Sequence, residues 1–253
     1  MRDKRLSSMN NFLSTGVLVV LALLPAYLLR VSIFGIPTTL LEIMLLILII
    51  LWLVQNRKRL KELFVIKRSW AIFIALVIIS STVSAIVAPD TLSAFGIWKA
   101  YFIEPILFFY LLVDLLQKKQ ITSNRILIAF CVGGLLIALT AILQWILWTG
   151  IPIPWDVERR VTGLFDYPNA LGLYLGPLTV LALGVILLAS QSLGDGWRPQ
   201  AEGSRTVILF YFISIVLFLL AIILAQSEAA LASIIITTIV MGIAHHKFRK
   251  PTI

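Results

Sequence analysis

The chain has 253 residues, 60% of them hydrophobic and 13% charged, with a mean hydropathy of +1.02. Soluble domains carry about 25% charged residues, so a water-soluble globular fold is excluded. The net charge of +9 would suit nucleic acid, but the basic residues stand in short groups between long apolar runs, as topology signals do. No nucleic-acid partner is expected.

Each apolar run approaches the ~20 residues that cross a hydrocarbon core, and none alternates as membrane-barrel strands must. The expected fold is all-α: a polytopic membrane protein of about eight helices, 1–253 forming a single transmembrane domain, with no soluble domain. The first helix is expected over Phe12–Leu29, behind the basic Met1-Arg-Asp-Lys-Arg5. Arg30 follows without a small-residue cleavage pattern, which favours a retained helix over a removed signal peptide. The next helices are expected over Ile36–Val54, Ser69–Ala88, Phe95–Leu116, Ile126–Thr149 and Ala170–Ser190. Gly194–Gly203, with glycine, proline and mixed charge, reads as a flexible inner loop. Thr206–Ala225 and Ala229–Ala244 close the set. As one helix these last two would be roughly 58 Å long at 1.5 Å per residue, too long for a bilayer. A turn is therefore expected near Ser227, with Ser227 capping the next helix and Glu228 at its positive end.

Basic residues set the orientation. With the N-terminus inside, seventeen of the 21 Lys and Arg residues fall in inner segments and only Arg30, Arg159 and Arg160 fall outside, Lys99 lying within a span. Both termini are expected to be cytoplasmic, and 159–169 to lie at the outer face.

That outer segment holds the strongest candidates for chemistry. Ile151-Pro152-Ile153-Pro154-Trp155 is stiff, with Trp155 suited to headgroup level. Pro168 biases Tyr167 to an extended conformation and Asn169 is a favoured helix cap. The helix N-terminus, together with Arg159 and Arg160, suits an anionic group. The alternative is two arginines resting on lipid headgroups. Within the spans, Glu42 and Lys99 share a depth near the outer surface and are expected to pair, while Glu104 lies near mid-bilayer, where Pro105 should kink the helix. These three would either fix helix packing or, in a transporter, hold substrate. Asp114 is expected to reach the inner interface, and Gln144, beside Trp145 and Trp148, to pack. The single Cys131 excludes an intrachain disulfide and a thiolate metal cluster.

Arg160, Gly163, Phe165, Pro168, Asn169 and Gly172 fill the pattern Arg-x-x-Gly-x-Phe-x-x-Pro-Asn-x-x-Gly, which resembles the motif of the O-antigen ligase and polymerase family. Tyr27-Leu-Leu-Arg30, Ile36-Pro37, Leu41-Glu42 and Lys99-Ala-Tyr-Phe-Ile-Glu104-Pro105 are also similar to that family. The resemblance implies a multispanning enzyme of the bacterial cytoplasmic membrane. It would transfer a glycan from polyprenyl diphosphate to a lipid, glycan or protein acceptor at the outer face, without metal or cofactor. Arg160 or Arg159 would handle the donor diphosphate, Glu228 and Asp166 are candidate bases by location, and Arg30, Gly163, Asn169, Glu42, Lys99 and Glu104 are the expected substrate-binding residues. Two features differ from the family pattern. Glu228 stands where the family has a second arginine, and the family continues into further helices and an outer loop with a functional histidine. Here the histidines, His245 and His246, fall at the inner end of the last helix. Donor binding with poor transfer is therefore expected of this chain alone.

Overall fold

The computed structural model describes residues 2–33, 36–65, 67–192 and 205–248. The loop expected at Gly194–Gly203 lies outside the described residues. Five helices are long and apolar enough to cross a membrane, within Arg68–Ile86, Thr91–Gln117, Ser123–Leu147, Pro168–Leu187 and Arg205–Leu224. Three shorter apolar helices cover Met9–Ala22, Leu40–Gln55 and Glu228–Ala244. The chain is a helical, membrane-embedded protein. It divides into two compact units, Met1–Ile126 and Leu127–Ile253.

In the first unit, helix α1 (Arg2–Ala22) packs on α2 (Leu40–Gln55). Leu13, Val17, Val20 and Leu21 of α1 are buried, as are Leu48, Ile49 and Trp52 of α2. The first helix ends seven residues earlier than the sequence suggests, because Pro25 opens a 3₁₀ turn over Leu24–Leu28. Its missing N–H cannot continue an α-helix. The expected helix start at Ile36 is also corrected. Strands β1 (Arg30–Ile33) and β2 (Ile36–Thr39) form an antiparallel hairpin in which Arg30 faces Thr39 and Ile33 faces Ile36. Ile36 precedes a proline and is biased to extended backbone. Only at Thr39 does a helix begin, its side chain accepting a hydrogen bond from the Glu42 N–H at 3.1 Å.

After the short α3 (Leu60–Leu63), α4 (Arg68–Ile86) crosses with only Ser81 and Ala85 buried. The fourth expected helix starts four residues early, at Thr91, because Asp90 caps α5 (Thr91–Trp98) through the Ser93 N–H at 3.1 Å. A π-turn over Lys99–Ile103 joins α5 to α6 (Glu104–Gln117). It is closed by the Glu104 N–H donating to the Lys99 carbonyl. The expected kink before Pro105 thus takes the form of a widened turn. Asp114 stands near the far end of α6. It is buried, accepting from Trp52 Nε1 at 2.9 Å and Lys118 Nζ at 2.6 Å.

The second unit is a bundle of α7 (Ser123–Leu147, from Leu127 on), α8 (Pro168–Ser192), α9 (Arg205–Leu224) and α10 (Glu228–Phe248). Helix α8 packs on both α9 and α10. It meets Ala230 near Gly172 and Met241 near Gly184, so α8 and α10 run parallel and α9 runs against both. The turn expected near Ser227 is formed: α9 ends at Leu224, Gln226 is left-handed (φ 52°), and α10 starts at Glu228. Tyr211, Phe218, Ala221 and Ile222 of α9 are fully buried.

Candidate functional site

The connection 148–167 covers the end of the bundle where α8 begins and α9 turns into α10. Its anchor is Gln144, which the sequence marks only as a packing residue. Buried near the end of α7, this side chain makes four hydrogen bonds. Its Oε1 accepts from the N–H groups of Thr162 (3.1 Å) and Gly163 (2.8 Å), and its Nε2 donates to the carbonyls of Gly150 and Gly163, both at 2.8 Å. A primary amide offers two donors and two acceptor positions, so the group is used in full. Gly163 is held at φ +64°, and a Cβ there would lie 3.0 Å from Leu171 Cδ1 and 3.3 Å from the Ile137 carbonyl oxygen. Val161 and Thr162 are fully buried, and Phe165 packs on Tyr174 with ring centroids 5.8 Å apart. These contacts make the loop a packed cover with fixed side-chain positions.

Both arginines are held by this cover and by the bundle end. Arg160 donates from Nε to the Ala225 carbonyl (3.2 Å) and from Nη2 to the Gln226 carbonyl (3.3 Å). A cation here answers the unpaired carbonyls and negative pole at the end of α9. Its Nη1 is 3.9 Å from Glu158, and its guanidinium is 5.0 Å from the Trp155 ring centroid. Arg159, left-handed at φ 52°, lies over two indoles, 4.2 Å from the centroids of both Trp145 and Trp148. It donates from Nε and Nη2 to the Trp145 carbonyl. Each guanidinium uses two of its nitrogens in this way, leaving N–H groups over for a ligand.

The neighbouring candidates fall differently. Pro168 opens α8, a position where its missing N–H is not needed. Asn169 is therefore inside the first turn, and the cap position expected for it belongs to Tyr167. Gly172 lies directly against Ser227, and a Cβ at Gly172 would also be 2.8 Å from Ala230 Cβ. Glu228 is exposed at the head of α10 and makes no ion pair with the described residues of this unit. The carboxylate that faces Arg160 is instead Glu158.

In the first unit, Glu42, Lys99 and Glu104 come together. Lys99 Nζ contacts Glu42 Oε1, as their shared depth suggests, and is 3.9 Å from Glu104 Oε1. Thr38 donates to the other Glu42 oxygen at 2.7 Å. Glu104 is 3% exposed and its Oε1 accepts no hydrogen bond. In an α-helix, residues five apart diverge by about 140° around the axis. The π-turn reduces that angle and sets Lys99 and Glu104 on one side. Two carboxyl groups around one ammonium within a span are an expensive arrangement, which makes the trio a candidate site. Arg30 is exposed on β1, across from Thr39.

Sequence reasoning missed Gln144 and the three tryptophans around the arginines. The available signal was an amide in the last two turns of an apolar helix, followed by a Gly-containing loop whose backbone groups needed partners. Among the described residues, no group of three or more His, Cys, Asp or Glu could hold a metal ion. Compared with family models, curated proteins and solved structures, the chain matches none.

Proposed function

We propose that the chain is a membrane glycan-transfer protein of the O-antigen ligase and polymerase kind. It takes a glycan linked to polyprenyl diphosphate at the outer face of the bacterial cytoplasmic membrane and serves its transfer to a lipid, glycan or protein acceptor. The concentration of basic residues in the other segments supports the 148–167 cover at that face. The observation that carries the reading is the fixed position of two guanidiniums at one end of a helical bundle. Held over tryptophans and carbonyls, they keep spare N–H groups for a doubly charged leaving group. Stabilising the departing diphosphate is the electrostatic contribution such groups make.

Exposed Glu228 beside this end favours a second reading, in which the chain binds the lipid-linked donor and a partner completes the transfer. The discriminating experiment is reconstitution in nanodiscs. Binding of polyprenyl diphosphate should exceed that of polyprenol of the same length, and lipid-linked oligosaccharide plus a set of acceptors should be turned over slowly by the chain alone. Equal binding of diphosphate and polyprenol overturns both readings, and robust turnover excludes the second.

A further inference from the structure

Trp148 and Arg159 are both left-handed, at φ 50° and 52°. For bulky side chains that conformation is an outlier, and such outliers gather at ligand-binding places. Here the two strained residues touch each other. The Arg159 guanidinium lies 4.2 Å from the Trp148 centroid and 4.2 Å from that of Trp145, bonded to the Trp145 carbonyl. Trp148 is nonetheless 59% exposed and Trp145 39%. The stack is thus aromatic, tied to the backbone and partly open to the surface. Gln144, one residue before Trp145, ties the helix end to Gly150 and Gly163, so the rings are set before any ligand arrives.

We propose that the Trp145–Arg159–Trp148 stack is a saccharide-binding platform, which recognises a sugar ring of the lipid-linked glycan or its acceptor; this rests on the proposed function. The C–H face of a pyranose carries partial positive charge and matches the negative face of an indole. Its equatorial hydroxyls reach sideways as acceptors for guanidinium N–H groups at the edge of the stack. Other occupants match less well. An acyl chain would cover the rings but leave the guanidinium N–H groups unpaired, and a lone phosphate would satisfy the guanidinium but not the two indoles. A stacked, hydroxyl-bearing ring uses both.

The test uses the full chain in nanodiscs with free chitohexaose, maltohexaose and mannohexaose as probes, read by saturation-transfer NMR and tryptophan emission. At least one hexasaccharide should bind. Trp148→Gly, which removes the ring and suits the left-handed backbone, should weaken that binding about tenfold. Trp148→Phe should retain part of it, and Trp70→Phe, remote from the stack in sequence and on α4, should leave it unchanged. Polyprenyl diphosphate binding by Trp148→Gly should fall less than saccharide binding does, because Arg159 keeps the Trp145 ring and carbonyl. Saccharide binding without diphosphate binding would support the platform while removing the proposed function. No hexasaccharide bound, or equal binding by Trp148→Gly, overturns the platform. So does Trp148 emission that is quenched by brominated lipids and insensitive to saccharide, which would make the residue a headgroup anchor.

Discussion

Gln144 and Gly163 are joined in both directions: the Gly163 N–H donates to Gln144 Oε1, and Gln144 Nε2 donates to the Gly163 carbonyl, each at 2.8 Å. The amide thus holds the backbone of a loop nineteen residues ahead of it, and the loop in turn places Arg159 and Arg160.

Removing that amide should loosen the whole cover. Gln144→Ala leaves the N–H groups of Thr162 and Gly163 and two carbonyls without their partner. Each buried orphan costs about 1–3 kcal/mol, so a total on the order of 3 kcal/mol is expected after partial rescue by water. Gln144→Glu keeps the acceptor for both N–H groups but loses the donors, and should fall between. Thermal unfolding in detergent measures this. A midpoint unchanged in Gln144→Ala would show that the loop is held by its apolar contacts alone.

Two glycines should resist substitution for separate reasons. Gly163→Ala meets a backbone oxygen at 3.3 Å at a positive φ, and the left-handed conformation by itself costs a residue with a Cβ about 1–2 kcal/mol. Gly172→Ala is overpacking: its Cβ would overlap Ser227 and come within 2.8 Å of Ala230, for about 1–3 kcal/mol. Ser227→Ala should relieve part of the second loss and none of the first. Equal rescue of both would contradict the helix pairing of α8 and α10.

The lysine between two glutamates calls for a double-mutant cycle. Lys99→Met alone leaves Glu42 and Glu104 facing each other in a span, and Glu42→Gln alone removes the direct partner of Lys99. Breaking one member of a buried pair costs about 3–5 kcal/mol, discounted here because the Lys99 side chain is 45% exposed. The double variant should be milder than the sum of the singles. Strictly additive losses of thermal stability would mean that the two groups do not interact.

How much of this was legible beforehand depended on whether the cause was local. The turn at Ser227 follows from length, since an uninterrupted apolar run would outreach the bilayer. The Glu42–Lys99 contact follows from depth in neighbouring spans. The hairpin at Arg30–Thr39 was hidden because Ile36 opens a run as apolar as a helix, and only Pro37 hinted otherwise. Helix α5 began early because Asp90 found the Ser93 N–H, a contact that hydropathy does not register. Arg159 and Arg160 were visible as charge, but Arg160 reaches carbonyls 65 and 66 residues away. Such partners exist only once the bundle is packed, and so do the bonds of Gln144.

Orientation is open to a labelling test. Ser123 and Val157 are both exposed; Ser123 opens α7 and Val157 follows its other end. In a Cys131→Ser background, Val157→Cys should react with an impermeant thiol reagent in intact cells, whereas Ser123→Cys should react only after permeabilisation. The excess of basic residues on the Ser123 side is the reason. Reaction of Ser123→Cys in intact cells would invert the topology and move the arginine cover to the cytoplasm.

The arginines can be separated by what each one holds. Arg160→Ala removes two donors from the carbonyls of Ala225 and Gln226 and uncovers the negative end of α9. It should lose about 1–3 kcal/mol of stability and also weaken polyprenyl diphosphate binding. Arg160→Lys retains the charge but not the planar fork, so it should recover part of the binding without restoring both carbonyl contacts. Arg159→Ala leaves the α9 turn intact and unstacks Trp145 and Trp148, and its effect on diphosphate binding should be the smaller of the two. Binding isotherms for polyprenyl diphosphate and polyprenol, measured beside unfolding midpoints, distinguish lost contact from lost fold. If the Arg159→Ala/Arg160→Ala double variant remains folded and binds the diphosphate as tightly as the parent, these arginines serve only to close the bundle end.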